Sequence, residues 1–329
     1  MFTSGIAAQS AFANNESMNV LRPIILASLL FCSAISAVSA SAFDPGRVGF
    51  HLTINDLQID YEVFALMVTP GETVVIGTSL PSQLVGAEPV IQMLQTTWAW
   101  QAPNKPGTHT IALHAGGESV TVHLLVLEPA TNKVKDTLAG YRIGYYREQP
   151  LRGLPNYEKP LGFIHVTLEN RHLRVSPHFT LGQFLCKQES GWPKLMVLQP
   201  QLLLKLERML EEVNAAGIRT DSFVIMSGFR TPWYNRSIGN RTTSSRHVYG
   251  GAADIFVDVN PRDGQMDDLN KDGKIDKEDA DFLYDLIQSW TTEPWWEPLV
   301  GGLASYKANR AHGPFVHIDE RGYPARWSR

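Results

Sequence analysis

Between residues 43 and 135, apolar and polar residues alternate in short runs, and glycine or proline breaks each run. A period of two suits strands with one buried face, so this stretch reads as sheet. Tyr61 to Val68 is rich in β-branched, aromatic and aliphatic residues and leads to the turn Pro70-Gly71. Thr73 to Ile76 resumes the pattern, and Thr96 to Trp100 is followed by punctuation from Pro103 to Gly107. Thr108 to His114 and Ser119 to Leu127 alternate across Gly116-Gly117. Such spacing predicts a small all-β, antiparallel sandwich of immunoglobulin-like type. His51, His109, His114 and His123 fall in or beside these runs without ligand spacing and read as ordinary sheet residues.

The composition shifts at a loop-rich joint containing Gly140, Gly144, Pro150, Gly153, Pro155 and Pro160. The expected division is a β domain over 43–135, a linker over 136–160 and a mixed domain over 161–329. In the latter, Gln199 to Ala216 places Leu203, Leu206, Leu210 and Val213 at helical spacing, and Gly217 follows as a stop. Phe223 to Met226 reads as a short strand delivering Ser227-Gly228-Phe229-Arg230. The fold class expected for the whole is α+β.

The chain has 329 residues and a formal net charge of -4, which gives no electrostatic reason to expect nucleic acid as a partner. Residues 1–42 carry the compartment signal. From Met18 come a basic Arg22, an apolar run from Ile24 to Ile35, and Ala40-Ser41-Ala42 before Phe43. That is the order of a secretory signal peptide, with Met18 as an alternative start. The run is short for a membrane span. The expected location is therefore periplasmic or extracellular, with no stable span once the signal is removed. Cys32 would leave with the signal, and Cys186 alone would remain. No disulfide framework is then possible, and cores must stabilise the fold.

Three segments carry chemistry: Ser245 to Asp254, Phe315 to Asp319, and Ser227 to Asn235. Two histidines and a carboxylate, His247, Asp254 and His317, form a donor set that suits zinc and leaves a fourth position open. Gly250 and Gly251 let the backbone turn between the first two. Arg230 can grip a carboxylate or a polarised carbonyl through two parallel bonds. Asp319 lies two residues beyond His317 on an apparent strand, hence on the same face, and is the expected general base.

The string Ser245-x-His247-x-x-Gly250-x-Ala252-x-Asp254, with the later Val316-His317, resembles the D-Ala-D-Ala metallopeptidases, which include murein carboxypeptidases and endopeptidases. That family shares its fold with the lysostaphin and hedgehog group. Pro160 to Ile164 and Val175 to Phe184 look like its exported bacterial branch, and the resemblance spans roughly residues 141 to 329. It implies an α+β domain with an antiparallel sheet, His247, Asp254 and His317 as zinc ligands, and Arg230 beside the metal. The better-known branches carry a His, Glu or Asp two or three residues before the last ligand. Here Phe315 and Pro314 occupy those positions, so the family's base is not carried over.

A second metal is expected within this domain. Residues 268–279 match the twelve-residue calcium loop, with Asp268, Asn270, Asp272, Asp276 and Asp279 as side-chain oxygen donors. Lys274 would offer its backbone carbonyl, Gly273 supplies the turn, and Ala280 to Trp290 reads as the following helix. The resulting expectation is an exported, zinc-dependent peptidase acting on peptidoglycan stem peptides, as a D-Ala-type carboxypeptidase or endopeptidase, with calcium as a structural ion. The alternative is a non-catalytic zinc module that binds cell-wall peptides.

Overall fold

The computed structural model describes residues 42–329. The expected signal peptide, apart from Ala42, lies outside the described residues. Among the described residues no helix is long and apolar enough to cross a membrane.

The alternating N-terminal runs form nine strands: β1 (Arg47–Ile54), β2 (Leu57–Tyr61), β3 (Val63–Val68), β4 (Thr73–Thr78), β5 (Gln83–Gly86), β6 (Val90–Leu94), β7 (Thr97–Gln101), β8 (Gly107–Ala115) and β9 (Glu118–Val126). One sheet has the order β2-β1-β4-β7-β6 and a second the order β3-β9-β8-β5. All neighbours are antiparallel except β3 and β9, which run parallel. The run Tyr61 to Val68 is therefore two strands in two sheets. The chain crosses between them at Glu62, whose N–H bonds to Gly46 O at 2.7 Å. Alternate residues of both sheets, among them Leu52, Ile76 and Trp100 with Phe64, Leu113 and Val122, are buried in one apolar cluster.

That cluster continues into the C-terminal half, and residues 42–329 form one compact unit. Between the halves, Leu138, Tyr141, Ile143 and Tyr157 are buried, so residues 136–160 are packed rather than extended into solvent. The periodic helix is α1 (Pro200–Ala215). Pro200 stands in the first turn, where a missing N–H leaves no bond unmade. Gly217 follows at φ 90°, the left-handed value that closes many helices. Leu203, Leu206, Leu210 and Val213 are all buried, each contributing about 1.5–3 kcal/mol.

Two further helices are α2 (Pro232–Ser237) and α3 (Lys277–Ser289), and α3 packs against a second five-stranded sheet. Its strands are β10 (Val224–Ser227), β11 (Ala252–Phe256), β12 (Gly302–Tyr306), β13 (Phe315–Asp319) and β14 (Ala325–Trp327). Their order is β10-β11-β13-β12-β14. All pairs are antiparallel except β12 and β14, which run parallel. Helix α1 reaches this sheet through Lys205, fully buried over the Trp296 ring. Its Nζ donates to Leu299 O at 2.8 Å and Asp319 O at 2.7 Å. Burial pushes the Lys205 ammonium down to about 7.

Gly250 is needed at its position for two reasons. Its φ is 71°, and a Cβ there would lie 2.3 Å from Val197 O. The left-handed conformation alone costs a non-glycine residue about 1–2 kcal/mol, and the collision is with backbone, which cannot swing aside. Gly250→Ala is expected to destabilise the protein by more than about 2 kcal/mol. Urea unfolding of parent and variant measures this, and an unchanged midpoint would contradict the assignment.

Candidate metal centre

Sheet register brings the site together. Asp254 on β11 lies directly opposite His317 on β13, Ser227 on β10 lies opposite Asp254, and Ala304 on β12 lies opposite His317. Trp327 on β14 pairs with Ala304. Directly opposed residues share a sheet face, so Ser227, Asp254, His317, Ala304 and Trp327 form one row across it. His247 arrives from outside the sheet, on the short 3-10 turn Arg246–Tyr249 that Gly250 closes. A Cβ on Gly251 would lie 1.6 Å from Glu320 Oε1. The two glycines thus let the turn sit against β11.

Three donor atoms meet above this row. His317 Nδ1 lies 2.8 Å from Asp254 Oδ1, His247 Nε2 lies 3.3 Å from the same oxygen, and the two nitrogens are 3.2 Å apart. Ligands about 2.0–2.1 Å from a tetrahedral zinc are separated by about 3.3 Å, so the spacing fits that ion. Among the described residues this is the group of His, Cys, Asp and Glu side chains close enough to hold a metal.

The protons are placed to match. His247 Nδ1 lies 2.7 Å from Gly228 O, a carbonyl that can only accept, so Nδ1 carries the hydrogen. His317 Nε2 lies 3.1 Å from Asp319 Oδ2, which likewise takes a hydrogen. The other nitrogen of each ring is then left with a lone pair aimed at Asp254 Oδ1. Three acceptors facing one another repel unless a cation or a proton lies among them. Burial lowers the His247 pKa. Burial would also lower that of His317, but bonds to Asp254 and Asp319 outweigh it and raise it. Burial would raise the Asp254 carboxyl, yet His247, His317 and Arg230 hold it well below the usual carboxylate range. A metal and a proton thus compete for the same lone pairs.

Arg230 stands where the sequence places it, beside the metal donors. It follows the irregular end of β10, and the next residue, Thr231, caps α2 by accepting a bond from Tyr234 N–H at 3.0 Å. Its Nη2 pairs with the second oxygen of Asp254, and its Nε donates to Ser227 Oγ at 2.8 Å. Arg230 also lines the cleft that opens over the donors, a volume of about 1350 Å³. Lys187, Tyr306, Lys307, His312 and Trp327 line it too.

Asp319 is on the same sheet face as His317 but stands behind it. It is fully buried and is not among the cleft-lining residues. Its Oδ1 accepts from Gly302 N–H at 2.7 Å, while Oδ2 accepts from His317, and Arg321 binds both oxygens. Burial would raise its carboxyl, but His317 and Arg321 hold it well below the ordinary range. A carboxylate so engaged is a poor proton acceptor and a good anchor for an imidazole. Asp319, expected from the sequence as the general base, is held here as an anchor for the His317 ring.

Sequence reading did not pair Arg246 with Glu320, a buried ion pair whose arginine also lies over the Tyr157 and Tyr249 rings. The local signal was present, since both flank ligand segments, but their meeting depends on sheet register. The segment 268–279 leads into α3, with Asp276 capping the helix. Asp268 accepts N–H bonds from Asp272 and Gly273, and Asp279 accepts from Leu269, Asn270 and Asp276. Asp279, the twelfth position, is fully buried. Its two oxygens close the loop on itself, so the metal-ready clustering seen at His247 is not repeated there.

A family model described as Peptidase M15 matches residues 177–272. The match includes Arg230, His247 and Asp254 and ends before His317, which sheet register supplies. It supports a zinc metallopeptidase and a peptide substrate. No curated protein and no solved structure matches the chain.

Proposed function

We propose that this protein is an exported zinc peptidase that hydrolyses peptide bonds in murein stem peptides. The observation that carries the reading is the convergence of His247 Nε2, His317 Nδ1 and an Asp254 oxygen at the floor of an open cleft. Zinc held there would polarise a scissile carbonyl and lower the pKa of a water. The chain's own part is to fix both imidazole tautomers through Gly228 O and Asp319, and to hold Asp254 through Arg230. Lys187, Arg230 and Lys307 on the cleft wall suit a peptide bearing carboxylates. With Asp319 behind His317, His312 is the histidine outside the donor cluster that lines the cleft. We assign it the proton-accepting role.

Export rests on the sequence of residues 18–42, and the immunoglobulin-like reading of 43–135 on the shared core of its two sheets. Incubating the zinc-loaded protein with defined muropeptides and weighing the products tests the substrate. Release of a terminal alanine marks a carboxypeptidase, and separation of two stems an endopeptidase. One observation favours a non-catalytic wall-binding module instead: Asp254 is the sole carboxylate lining the cleft among the described residues. Tight muropeptide binding without products would establish that alternative.

We also propose that residues 268–279 bind one calcium ion through Asp268, Asn270, Asp272, the Lys274 carbonyl, Asp276 and Asp279. Gly273 at φ 85° provides the turn, and α3 follows directly. Binding the folded loop alone raises stability by about 2.7 kcal/mol at a hundredfold excess over Kd. Calcium added to calcium-free protein is expected to raise Tm, and Asp268→Ala to remove the gain. A Tm indifferent to millimolar calcium would leave the loop as a self-bonded acidic turn.

A further inference from the structure

Tyr306 ends β12 two residues beyond Ala304, so its side chain lies on the face that carries His317 and Asp254. The ring is held from two sides. It stacks on Phe315, its cross-strand partner, at 4.7 Å and 14°. Its hydroxyl oxygen accepts a bond from Trp327 Nε1–H at 2.6 Å. Trp327 in turn packs against His317, with centroids 5.2 Å apart. Tyr306, Trp327, Phe315 and His317 all line the same cleft.

The chemistry of this contact fixes the direction of the hydroxyl. An indole N–H can only donate, so the Tyr306 oxygen must be the acceptor there. Its own hydrogen is then free to point elsewhere, and among the described residues it donates to no protein acceptor. A rigid O–H donor lining the same cleft as the metal donors is the arrangement that stabilises negative charge developing on a carbonyl oxygen.

Resting on the peptidase reading above, we propose that Tyr306 is a catalytic residue that donates a hydrogen bond to the scissile carbonyl oxygen as that oxygen becomes negative, with Trp327 setting the direction of the hydroxyl. No proton is transferred, and the bond strengthens only as charge develops. Tyr306 would therefore raise kcat and leave KM nearly unchanged.

Tyr306→Phe keeps the stack on Phe315 and removes only the hydroxyl. In the full zinc-loaded chain, kcat on a muropeptide ending in two D-alanines is expected to fall about 10²-fold. KM, zinc content and Tm should stay near parental values. Binding of a phosphinate analogue of that terminus, measured by calorimetry, should weaken by a similar factor. In the metal-free protein, the Trp327 indole N–H resonance should move upfield in the variant. Parental kcat and phosphinate affinity in Tyr306→Phe would overturn the proposal and leave the peptidase reading standing. A fall in kcat accompanied by loss of zinc or Tm would also overturn it, by showing a structural role. A parent that cleaves no muropeptide and binds no phosphinate would overturn the peptidase reading, and the role of Tyr306 with it.

Discussion

His247→Ala is expected to abolish peptide hydrolysis and most zinc binding together. His247 supplies one of three donors, and its turn is the only one from outside the sheet. Its removal leaves His317 and Asp254, which the register of β11 and β13 still holds opposite each other. The fold should therefore survive while the metal is lost. Polarisation of a carbonyl by a metal is worth several kcal/mol, so the turnover rate should fall by about 10³-fold or more. Metal analysis after gel filtration should find about one zinc per parent chain and far less in the variant. A variant that keeps its zinc would refute the assignment of this ligand.

The second large effect concerns Asp319, where two roles predict different outcomes for one substitution. Asp319→Asn preserves shape and removes charge. A general base so altered would lose turnover while zinc affinity stayed parental. The geometry predicts the other pattern, because Asp319 accepts the Nε2 hydrogen of His317 and is itself held by Arg321 and Gly302. Loss of such a partner costs about 10–100-fold in metal affinity or activity. Zinc should bind that much more weakly, and excess zinc should restore most of the turnover. Turnover lost at saturating zinc would return Asp319 to the role of base and remove His312 from it.

Much of the site was legible in the sequence because its donors sit in short local patterns. The spacing of His247, Gly250, Ala252 and Asp254 encodes a tight turn entering a strand, and that is how the chain runs. Helix α1 was legible for a similar reason, its apolar residues recurring at the helical period. Long-range register was not legible. That Asp254 faces His317, that Ser227 and Trp327 extend the same row, and that Lys205 reaches Asp319 O are consequences of strand pairing. Alternation placed Asp319 on the correct face but could not show that Arg321 and Gly302 already occupy its oxygens. The same limit applied to Tyr61 to Val68, whose composition reads as one strand while Glu62 carries the chain from one sheet to another.

The account rests on two imidazole nitrogens and one carboxylate oxygen meeting at a zinc ion, and X-ray absorption at the zinc edge of the full chain tests that directly. The expected spectrum has imidazole scattering from two histidines, nitrogen at about 2.0–2.1 Å and oxygen at about 2.0–2.2 Å. In His247→Ala protein loaded with zinc, the imidazole contribution should fall by half. A sulfur shell at about 2.3 Å, from Cys186, or a parental imidazole signal in His247→Ala, would contradict the site.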